Sequence, residues 1–379
     1  MTPPRRLMYV ITEDWFFASH FLDRARAAVA AGWDVVVATR CRADAERIRA
    51  TGARTVHVEL SRRGTNPLVE LRAVAALVRI LRRERPDVVH HVALKPVVLG
   101  TVAARLAGVR RIVNAPVGMG YVFTSADPRA RLLRPALRAA MRLVLNPRGS
   151  RVIIENPDDR DAIVDGRFAR ASDVALIKGA GVDLDAYAPS PEPSAAGGVV
   201  VTVVARMLRD KGIGEFVEAA RLLRARGIAV RCRLVGGTDD GNPTSLHPDA
   251  LRAWTREGVV EWSGPRDDVA AVWRESHVAC LPSHREGLPK SLIEAAACGR
   301  PIVTTDVPGC REVVRDGVEG LLVPARDARA LADAIATLAA DPTRRARMGA
   351  AARARAEAEF GTPRVVAATH AVYDELRAS

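Results

Sequence analysis

Short apolar runs alternate with segments of helical periodicity from one end of the chain to the other. The runs are rich in valine, isoleucine and leucine, which is typical of strands buried on both faces of a sheet. Helical segments such as Phe21–Ala31 and Leu68–Arg83 separate most of them. Because a strand–helix–strand unit makes its two strands parallel, the pattern predicts an α/β fold with parallel sheets. The predicted strands are Leu7–Thr12, Asp34–Ala38, Thr55–Val58, Asp87–Val92, Arg111–Ala115, Arg151–Glu155, Val174–Ile177, Val199–Val204, Arg231–Val235, Val259–Trp262, His277–Leu281, Pro301–Thr304 and Gly320–Val323.

One segment interrupts this alternation. Residues 188–198 read A-P-S-P-E-P-S-A-A-G-G, and a stretch so rich in proline and glycine continues neither a helix nor a strand. A chain of 379 residues is also too long for one ordinary core. The sequence therefore predicts two Rossmann-like domains, 1–187 and 199–360, joined by a linker at 188–198, with a final helical segment in 361–379.

The formal net charge of +13 favours anionic partners. Nucleotide diphosphates and anionic lipid head groups fit this charge. Nucleic acid is not expected, because no nucleic-acid motif is present and the arginines are not interleaved with aromatic residues. The five cysteines show no paired or metal-like spacing, which favours reduced thiols in the cytosol. With no signal-peptide pattern and no long apolar run, we expect a cytoplasmic protein that does not span a membrane.

Two glutamates eight residues apart, Glu286 and Glu294, flank a short helical segment that Gly287, Leu288 and Pro289 introduce. Pro289 suits the first helical turn, whose free N–H groups form an anion site. Carboxylates bind sugar hydroxyls well because they accept two hydrogen bonds at once. Apolar neighbours indicate that Glu294 is buried, and a ligand hydroxyl would supply the partner that a buried carboxylate needs. Together these features suggest a nucleotide-sugar pocket.

Further candidates follow other strands of the second half. Arg206 and Lys211 come directly after Val199–Val204 and therefore lie at the carboxyl edge of the sheet, where open α/β sheets bind ligands. The alternative is a solvated basic loop. Gly264 and Arg266 follow another strand and are candidates for lining a nucleobase pocket. No cluster of histidine, cysteine and carboxylate has metal-ligand spacing, so we expect neither a metal nor another cofactor.

These residues resemble the motifs of the retaining glycosyltransferases of family 4, which have the GT-B fold. The E-x7-E signature matches at Glu286 and Glu294, and G-R-P-I-V-T-T-D-V-P-G-C-R-E-V-V-R-D-G-V-E-G-L-L-V follows it. In V-V-A-R-M-L-R-D-K-G-I, Arg206 and Lys211 hold the positions of the family's diphosphate-binding pair. The N-terminal segments I-T-E-D-W-F-F-A-S-H and V-G-M-G-Y-V-F-T-S are similar to those of enzymes that extend lipid-linked saccharides for bacterial surface polysaccharides.

The resemblance implies two Rossmann-like domains whose parallel sheets face each other across a cleft, with the final helix crossing back to the first domain. It implies transfer of a sugar, with retention and without a metal, from a nucleotide diphosphate-sugar (UDP-sugar favoured) to a lipid-linked or other glycan acceptor. Arg206 and Lys211 would neutralise the departing diphosphate, Glu286 would bind the donor sugar, and Glu294 would bind the ribose. The donor sugar, the acceptor and the linkage stay open.

Acceptor-binding candidates lie in the first half. The segment after the first strand contains Glu13, Asp14 and His20, and we interpret it as a strand-end loop. His90 and His91 end the fourth strand, where alternation should bury one and turn the other toward the cleft. We take His91, together with Lys95 in the following loop, as acceptor-binding.

Two features leave alternatives open. Val117 stands where many members of the family have a histidine, although the leaving diphosphate can take the acceptor proton instead. An inactive binding or scaffold protein and a nucleotide-sugar 2-epimerase are the competing functions. A helical row of arginines fits either an ordinary helix packed on the sheet or a peripheral contact with the anionic cytoplasmic membrane face. The row consists of Arg131, Arg134, Arg138 and Arg142.

Overall fold

The computed structural model describes residues 5–62, 66–117, 135 and 138–378. It divides the chain into two compact units. The first comprises Met1–Ala180 with Pro363–Ser379, and the second comprises Gly181–Thr362. Each contains one parallel sheet covered by helices, as the alternating sequence pattern predicted.

The first unit is built on a seven-stranded parallel sheet with the strand order β3-β2-β1-β4-β5-β6-β7. Alternate residues of β1 serve opposite faces: Leu7 and Tyr9 join the core on one side, and Met8 and Val10 join the core on the other. The strands are Arg6–Glu13 (β1), Asp34–Arg40 (β2), Arg54–His57 (β3), Val88–Val92 (β4), Ile112–Ala115 (β5), Ser150–Ile154 (β6) and Val174–Leu176 (β7).

Helices connect these strands and cover both faces of the sheet. One of them, Asp14–His20, occupies the segment that we interpreted as a strand-end loop, so that interpretation was wrong. Its Phe17 and Ala18 are buried, and this packing stabilises a helix directly after β1. The helices are Asp14–His20 (α1), Leu22–Ala30 (α2), Ala45–Arg49 (α3), Pro67–Glu84 (α4), Leu94–Leu106 (α5), 138–144 (α6) and Pro157–Asp165 (α7).

The second unit is built on a six-stranded parallel sheet with the order β10-β9-β8-β11-β12-β13. Its core lies on both faces of the sheet and includes most of the helix that follows Glu286. The strands are Val199–Val204 (β8), Val230–Val235 (β9), Glu261–Trp262 (β10), Val278–Leu281 (β11), Ile302–Thr305 (β12) and Gly320–Val323 (β13). The helices are Ile213–Ala225 (α8), Pro248–Arg256 (α9), Val269–Arg274 (α10), Lys290–Ala297 (α11), Cys310–Val313 (α12), Ala328–Ala340 (α13) and Pro342–Arg355 (α14).

The last helix, Thr362–Ala378 (α15), returns to the core of the first unit. Its Val365, Val372, Tyr373 and Leu376 are buried in the same core as Leu7 and Tyr9, which adds apolar burial to the first unit. The hydroxyl of Tyr373 also lies 3.0 Å from that of Tyr9. The end of the chain is therefore an integral part of the first unit.

The proline-rich segment 188–198 lies within the second unit, because the division between the units falls between Ala180 and Gly181. Arg300 donates a hydrogen bond to the carbonyl oxygen of Ser190 (3.1 Å), and Arg345 donates to Glu192 Oε1 (2.5 Å). These contacts hold the segment on the surface of the second unit, although its composition excludes regular secondary structure.

Candidate active site

Each sheet has a topological switch point at its centre, where the chain stops adding strands on one side of the first strand and continues on the other side. In the second unit the chain builds β9 and β10 on one side of β8 and then crosses to β11 on the other side. The loops after β8 and β11 therefore diverge and leave a crevice at the carboxyl edge, the usual binding position in such sheets. The crevice of the second unit brings together two of the residues predicted from the sequence, Lys211 and Glu286.

Lys211 and Glu286 form an ion pair at this edge. Lys211 ends a 3₁₀ turn, Arg209–Lys211, that follows β8, and Glu286 lies in the loop that follows β11. The Lys211 Nζ donates to Glu286 Oε1 at 2.5 Å, and the Ser283 Oγ donates to the same oxygen at 2.6 Å. Only 20% of the lysine side chain and 10% of the glutamate side chain are exposed. The pair is thus largely shielded from water, which strengthens its electrostatic interaction.

Two glycines allow these loops to pack backbone against backbone. Gly212 follows Lys211 with φ of +69°, and a Cβ there would lie 2.0 Å from the Pro282 carbonyl oxygen. Gly309 has φ of +83°, and a Cβ there would lie 2.5 Å from the Gly287 carbonyl oxygen. A side chain at Gly212 would push the turn that carries Lys211 away from the segment after β11, and one at Gly309 would displace the backbone of Glu286 and Gly287.

Arg206 lies on the same edge but has a different partner. Its NH1 donates to Asp239 Oδ2 at 2.5 Å, and Asp239 belongs to the loop after β9. The Arg206 side chain is 37% exposed, so part of its guanidinium faces solvent. Cations from the loop after β8 thus pair with carboxylates from the loops after β9 and β11.

Glu294 lies inside α11 and is only 4% exposed. Its Oε1 accepts a hydrogen bond from the Tyr187 hydroxyl at 3.0 Å and a second from the Lys290 Nζ. The expectation that a ligand must supply the partner of this carboxylate is therefore wrong, because protein groups satisfy it. Burial, followed by the charge of Glu294, raises the pKa of Tyr187 above its usual range, so the hydroxyl stays a donor.

The helix α11 begins at Lys290, one residue later than the sequence predicted, with Pro289 as its N-cap. Proline offers no capping side chain, and the first turn of α11 has no side-chain cap. Leu288 and Pro289 are buried, whereas Gly287 is half-buried. The amide groups at this helix start are a donor set of the kind that binds anions.

Gly264 and Arg266 follow β10 at the outer strand of the sheet. Gly264 has φ of +71°, and its carbonyl oxygen accepts from the Gly236 N–H at 2.7 Å. Arg266 pairs with Asp268 through two hydrogen bonds, of 2.6 and 2.5 Å. The structure therefore gives Arg266 a local carboxylate partner and brings it to neither Lys211 nor Glu286 by any hydrogen bond among the described residues.

In the first unit, the two carboxylates at the end of β1 and the start of α1 both accept hydrogen bonds from protein groups. Glu13 is 6% exposed and accepts from the Arg40 NH1 at 3.1 Å. Asp14 is 1% exposed and accepts from the backbone N–H of Arg42 at 2.5 Å. His20, at the end of α1, stacks on Phe16 with ring centres 4.2 Å apart. The two carboxylates thus fix the loop after β2 rather than lying open to solvent.

His90 and His91 are both buried, so the expectation that one of them faces open space is wrong. Helices cover both faces of β4, and alternation therefore buries both side chains. The Nδ1 of His90 lies 2.7 Å from the Tyr373 hydroxyl, and that of His91 lies 2.8 Å from Asn114 Oδ1. Burial lowers the pKa of His91 to about 4 and that of His90 well below its usual value. Both imidazoles are therefore neutral at pH 7.

Lys95 lies in the first turn of α5 and not in a loop, which corrects its predicted setting. Its Nζ donates to the Ser61 carbonyl oxygen at 2.7 Å and to Glu70 Oε1 at 2.5 Å. About a fifth of the side chain is exposed (22%).

Val117, which follows β5, has φ of +49° and lines a small cavity of about 20 Å³ beside His90.

The predicted row of arginines is described only in part, because Arg131 and Arg134 lie outside the described residues. Arg138 is exposed. The Arg142 Nε donates to the Gly166 carbonyl oxygen at 3.3 Å, and its guanidinium lies 5.7 Å from the ring centre of Phe168. Arg142 is itself exposed, and both contacts lie within its own unit.

Several residues of the site escaped the sequence interpretation. Tyr187, Asp239 and Ser283 each contact a predicted residue, yet Tyr187 is separated from Glu294 by more than a hundred positions. No local pattern marks such a partner. The sequence could have indicated Gly212 and Gly309 as positions of close backbone packing, since each glycine stands at a helix boundary, where positive φ is common.

Among residues 5–62, 66–117, 135 and 138–378, no three histidine, cysteine or carboxylate side chains are grouped so that they would hold a metal ion. In those same ranges, no helix is long and apolar enough to cross a membrane.

Comparisons with known proteins agree with this architecture. Residues 6–156 match the sequence model of the glycosyl transferase 4-like family, and residues 198–341 match that of glycosyl transferases group 1. The N,N'-diacetylbacillosaminyl-diphospho-undecaprenol alpha-1,3-N-acetylgalactosaminyltransferase of Campylobacter jejuni is 26% identical, over 78% of this chain and 79% of its own. A D-inositol 3-phosphate glycosyltransferase of Kribbella flavida is 32% identical, over 65% of this chain and 60% of its own.

Solved structures show the same fold over the whole chain. HepE of Anabaena, in complex with UDP-glucose, superposes with a TM-score of 0.80 at 20% identity and covers 99% of this chain and 100% of its own. Sucrose-phosphate synthase of Thermosynechococcus elongatus gives a TM-score of 0.79 at 22% identity, with 99% of each chain covered. With both units matched by family models and two parallel Rossmann-like sheets in sequence, this chain belongs to the family 4 glycosyltransferases of GT-B fold.

Proposed function

We propose that this glycosyltransferase moves a hexose, with retention of configuration, from a nucleotide diphosphate-sugar to a lipid-linked saccharide or other glycan acceptor. The pathway is bacterial cell-surface polysaccharide synthesis, and the favoured donor is a UDP-sugar. The observation that carries the proposal is the shielded Lys211–Glu286 pair at the switch point of the second sheet. The pair would supply a cation for phosphate beside a carboxylate for sugar hydroxyls.

The donor diphosphate is the group that Lys211 and Arg206 would bind. Each cation is paired with a carboxylate, so an incoming diphosphate would exchange for Glu286 and Asp239 as the counter-charge. An ammonium and a guanidinium together carry two positive charges, as many as a divalent ion. They would stabilise the charge that develops on the leaving group without a metal. The uncapped start of α11 would add backbone N–H donors.

Release of Glu286 from Lys211 would free its carboxylate for the hydroxyls of the donor sugar. Glu294 would keep Tyr187 and Lys290 as partners and offer its remaining acceptor capacity to the ribose. Gly287, Leu288 and Pro289 would form the wall between the site of the donor sugar and that of the ribose. Gly264 and Arg266 would lie nearer to the base.

The acceptor would be bound by the first unit. The Campylobacter jejuni relative is named for an acceptor that carries a diphospho-undecaprenol group, and this supports a lipid-linked acceptor here. Of the candidates, Lys95 and His20 keep exposed surface and are the ones we assign to direct contact. Glu13, Asp14 and His91 are enclosed and would act by holding the neighbouring loops in place. A peripheral position on the cytoplasmic membrane face would bring the enzyme to such an acceptor.

The decisive experiment measures hydrolysis of nucleotide sugars by the pure protein. The chain is first screened by thermal shift against UDP-, GDP- and ADP-sugars, since a bound ligand raises the apparent stability. Release of the nucleotide diphosphate from the best donor is then measured with the parent and with Lys211→Ala. Arg209→Ala is the matched control, because Arg209 lies in the same turn and is exposed.

A donor that shifts the melting temperature and is hydrolysed by the parent and by Arg209→Ala, but not by Lys211→Ala, supports the proposal. The competing function, an inactive scaffold, rests on Val117 at the position of the family's usual histidine. Binding of a donor without any hydrolysis or transfer would favour that function. Conversion of the donor to its 2-epimer would instead identify an epimerase.

A further inference from the structure

A groove lined by six arginines lies on the first unit. It has a volume of about 1130 Å³ and also contains Asp87 and Leu376 in its lining. The walls come from the ends of α4 and α5, the segments leading into β4 and β5, and the loop before β6. All of these lie at the amino edge of the sheet. The arginines are Arg82, Arg85, Arg105, Arg110, Arg111 and Arg148.

These arginines are not neutralised by carboxylates. Across the described ranges, none of the six forms an ion pair, whereas many other arginines of the chain do. Three are instead held by backbone carbonyl oxygens: Arg82 donates to Leu106 (3.1 Å), Arg105 to Arg148, and Arg111 to Arg377 (3.4 Å). A carbonyl acceptor fixes the position of a guanidinium but leaves its full charge.

An ordinary explanation is that arginines complement the negative ends of helices. The helices α4, α5, α6 and α15 all end at this edge of the sheet, and each helix end carries roughly −0.5 charge. Four such ends give about −2, and Asp87 adds −1, against +6 from the arginines. A net charge of about +3 therefore remains in the groove, which is more than helix capping explains. Burial followed by repulsion from Arg110 lowers the pKa of Arg105, in keeping with an uncompensated cluster.

We propose that this groove binds a soluble oligophosphate, such as a nucleoside polyphosphate or a short inorganic polyphosphate chain. Guanidinium groups bind phosphate oxygens with paired, charge-assisted hydrogen bonds, and several held in one recess bind several phosphates in a row. Exposed Arg110 and Arg148 would make the outer contacts, and the half-buried Arg105 and Arg111 would make the inner ones.

The position of the groove favours a soluble ligand over lipid head groups. The strand β1 runs eight residues from this edge to the edge that carries Glu13, which is about 25 Å at 3.3 Å per residue. A membrane bound at the amino edge would hold the carboxyl edge, with Lys95, away from a lipid-linked acceptor. A concave recess also suits a discrete ligand better than a flat surface does.

The test is a calorimetric titration of the full-length chain with sodium tripolyphosphate at about 50 mM salt, where screening is weak. The titration is made in an Arg206→Ala/Lys211→Ala background, so that the cations proposed for the donor do not contribute. We expect one bound tripolyphosphate. Adding Arg110→Gln and Arg148→Gln should lower the affinity for tripolyphosphate by at least about tenfold, because two charge-assisted contacts are lost.

The control adds Arg329→Gln and Arg347→Gln, which are also exposed and remove the same charge from the second unit. It should change the affinity by less than about twofold, and matching melting temperatures would show that both variants fold. Absence of binding, or equal weakening by the control, overturns the proposal. Vesicles containing phosphatidylglycerol form the last arm. Vesicle binding that depends on Arg110 and Arg148 and resists tripolyphosphate would also overturn it, in favour of a lipid surface.

Discussion

Replacement of Lys211 by alanine tests the central feature of the proposed mechanism. The change removes the ammonium that lies 2.5 Å from Glu286 and would face the donor diphosphate. It leaves the turn intact, because the 3₁₀ geometry of Arg209–Lys211 depends on backbone hydrogen bonds and on Gly212. Arg206 stays in place with Asp239, so one of the two cations remains.

The magnitude follows from what the lysine contacts. Loss of one charged donor to a leaving group costs about 3–4 kcal/mol of transition-state stabilisation, which corresponds to roughly a 10²–10³-fold lower kcat. The stability cost should be smaller. Glu286 would lose one partner but keep the Ser283 hydroxyl at 2.6 Å, and its side chain is 10% exposed. We therefore expect about 1–2 kcal/mol, between the values for surface and fully buried pairs.

Both quantities should be measured on one set of variants. Initial rates at saturating donor give kcat, and urea unfolding gives the free energy of unfolding, for Lys211→Ala, Glu286→Ala and the double variant. If Lys211 and Glu286 act as a unit, the double variant should lose much less activity than the product of the single losses. Arg209→Ala again serves as the control for a lost positive charge.

Two results would contradict this reasoning. Activity of Lys211→Ala within a few-fold of the parent would remove the lysine from the mechanism. A loss of activity matched by an equally large loss of stability would assign Lys211 to the fold alone.

Other predictions concern separate parts of the molecule. Glu294→Ala should raise the KM for the donor far more than it lowers kcat, because ribose contacts change little in the transition state; a lower kcat at unchanged KM refutes this. His91 has a folded pKa of about 4 against about 6.5 unfolded, so the unfolded state binds more protons between these values. His91 should therefore contribute about 3 kcal/mol to a rise in stability from pH 4 to 6.5, and His91→Asn should remove that part of the rise in urea unfolding while the part due to His90 stays. Changing Arg131, Arg134 and Arg138 to Gln should abolish salt-sensitive binding to anionic vesicles and spare donor hydrolysis; unchanged vesicle binding refutes the membrane contact. A chelator should leave the rate of transfer unchanged, and a large loss would show that a metal is required.

The sequence by itself determined the strands and the class of fold. Each of the thirteen predicted strands is present, because a strand buried between two layers of helices needs an unbroken apolar run and such a run is local. The motif residues were also local signals: Lys211 and Glu286 lie in the segments that follow β8 and β11, and the segment that leaves a parallel strand starts at the carboxyl edge of its sheet.

Only the tertiary structure decided which groups meet. Glu294 has Tyr187 as a partner from a distant part of the chain, and His91 is enclosed because α5 covers it so closely that a Cβ on Gly100 would lie 2.4 Å from its ring. Strand order decides such contacts, and strand order depends on packing across the whole unit. The arginine groove has the same origin, since its walls come from segments far apart in the sequence that converge at one edge of the sheet. Periodicity reports the neighbours of a residue along the chain, whereas charge balance and burial depend on its neighbours in space.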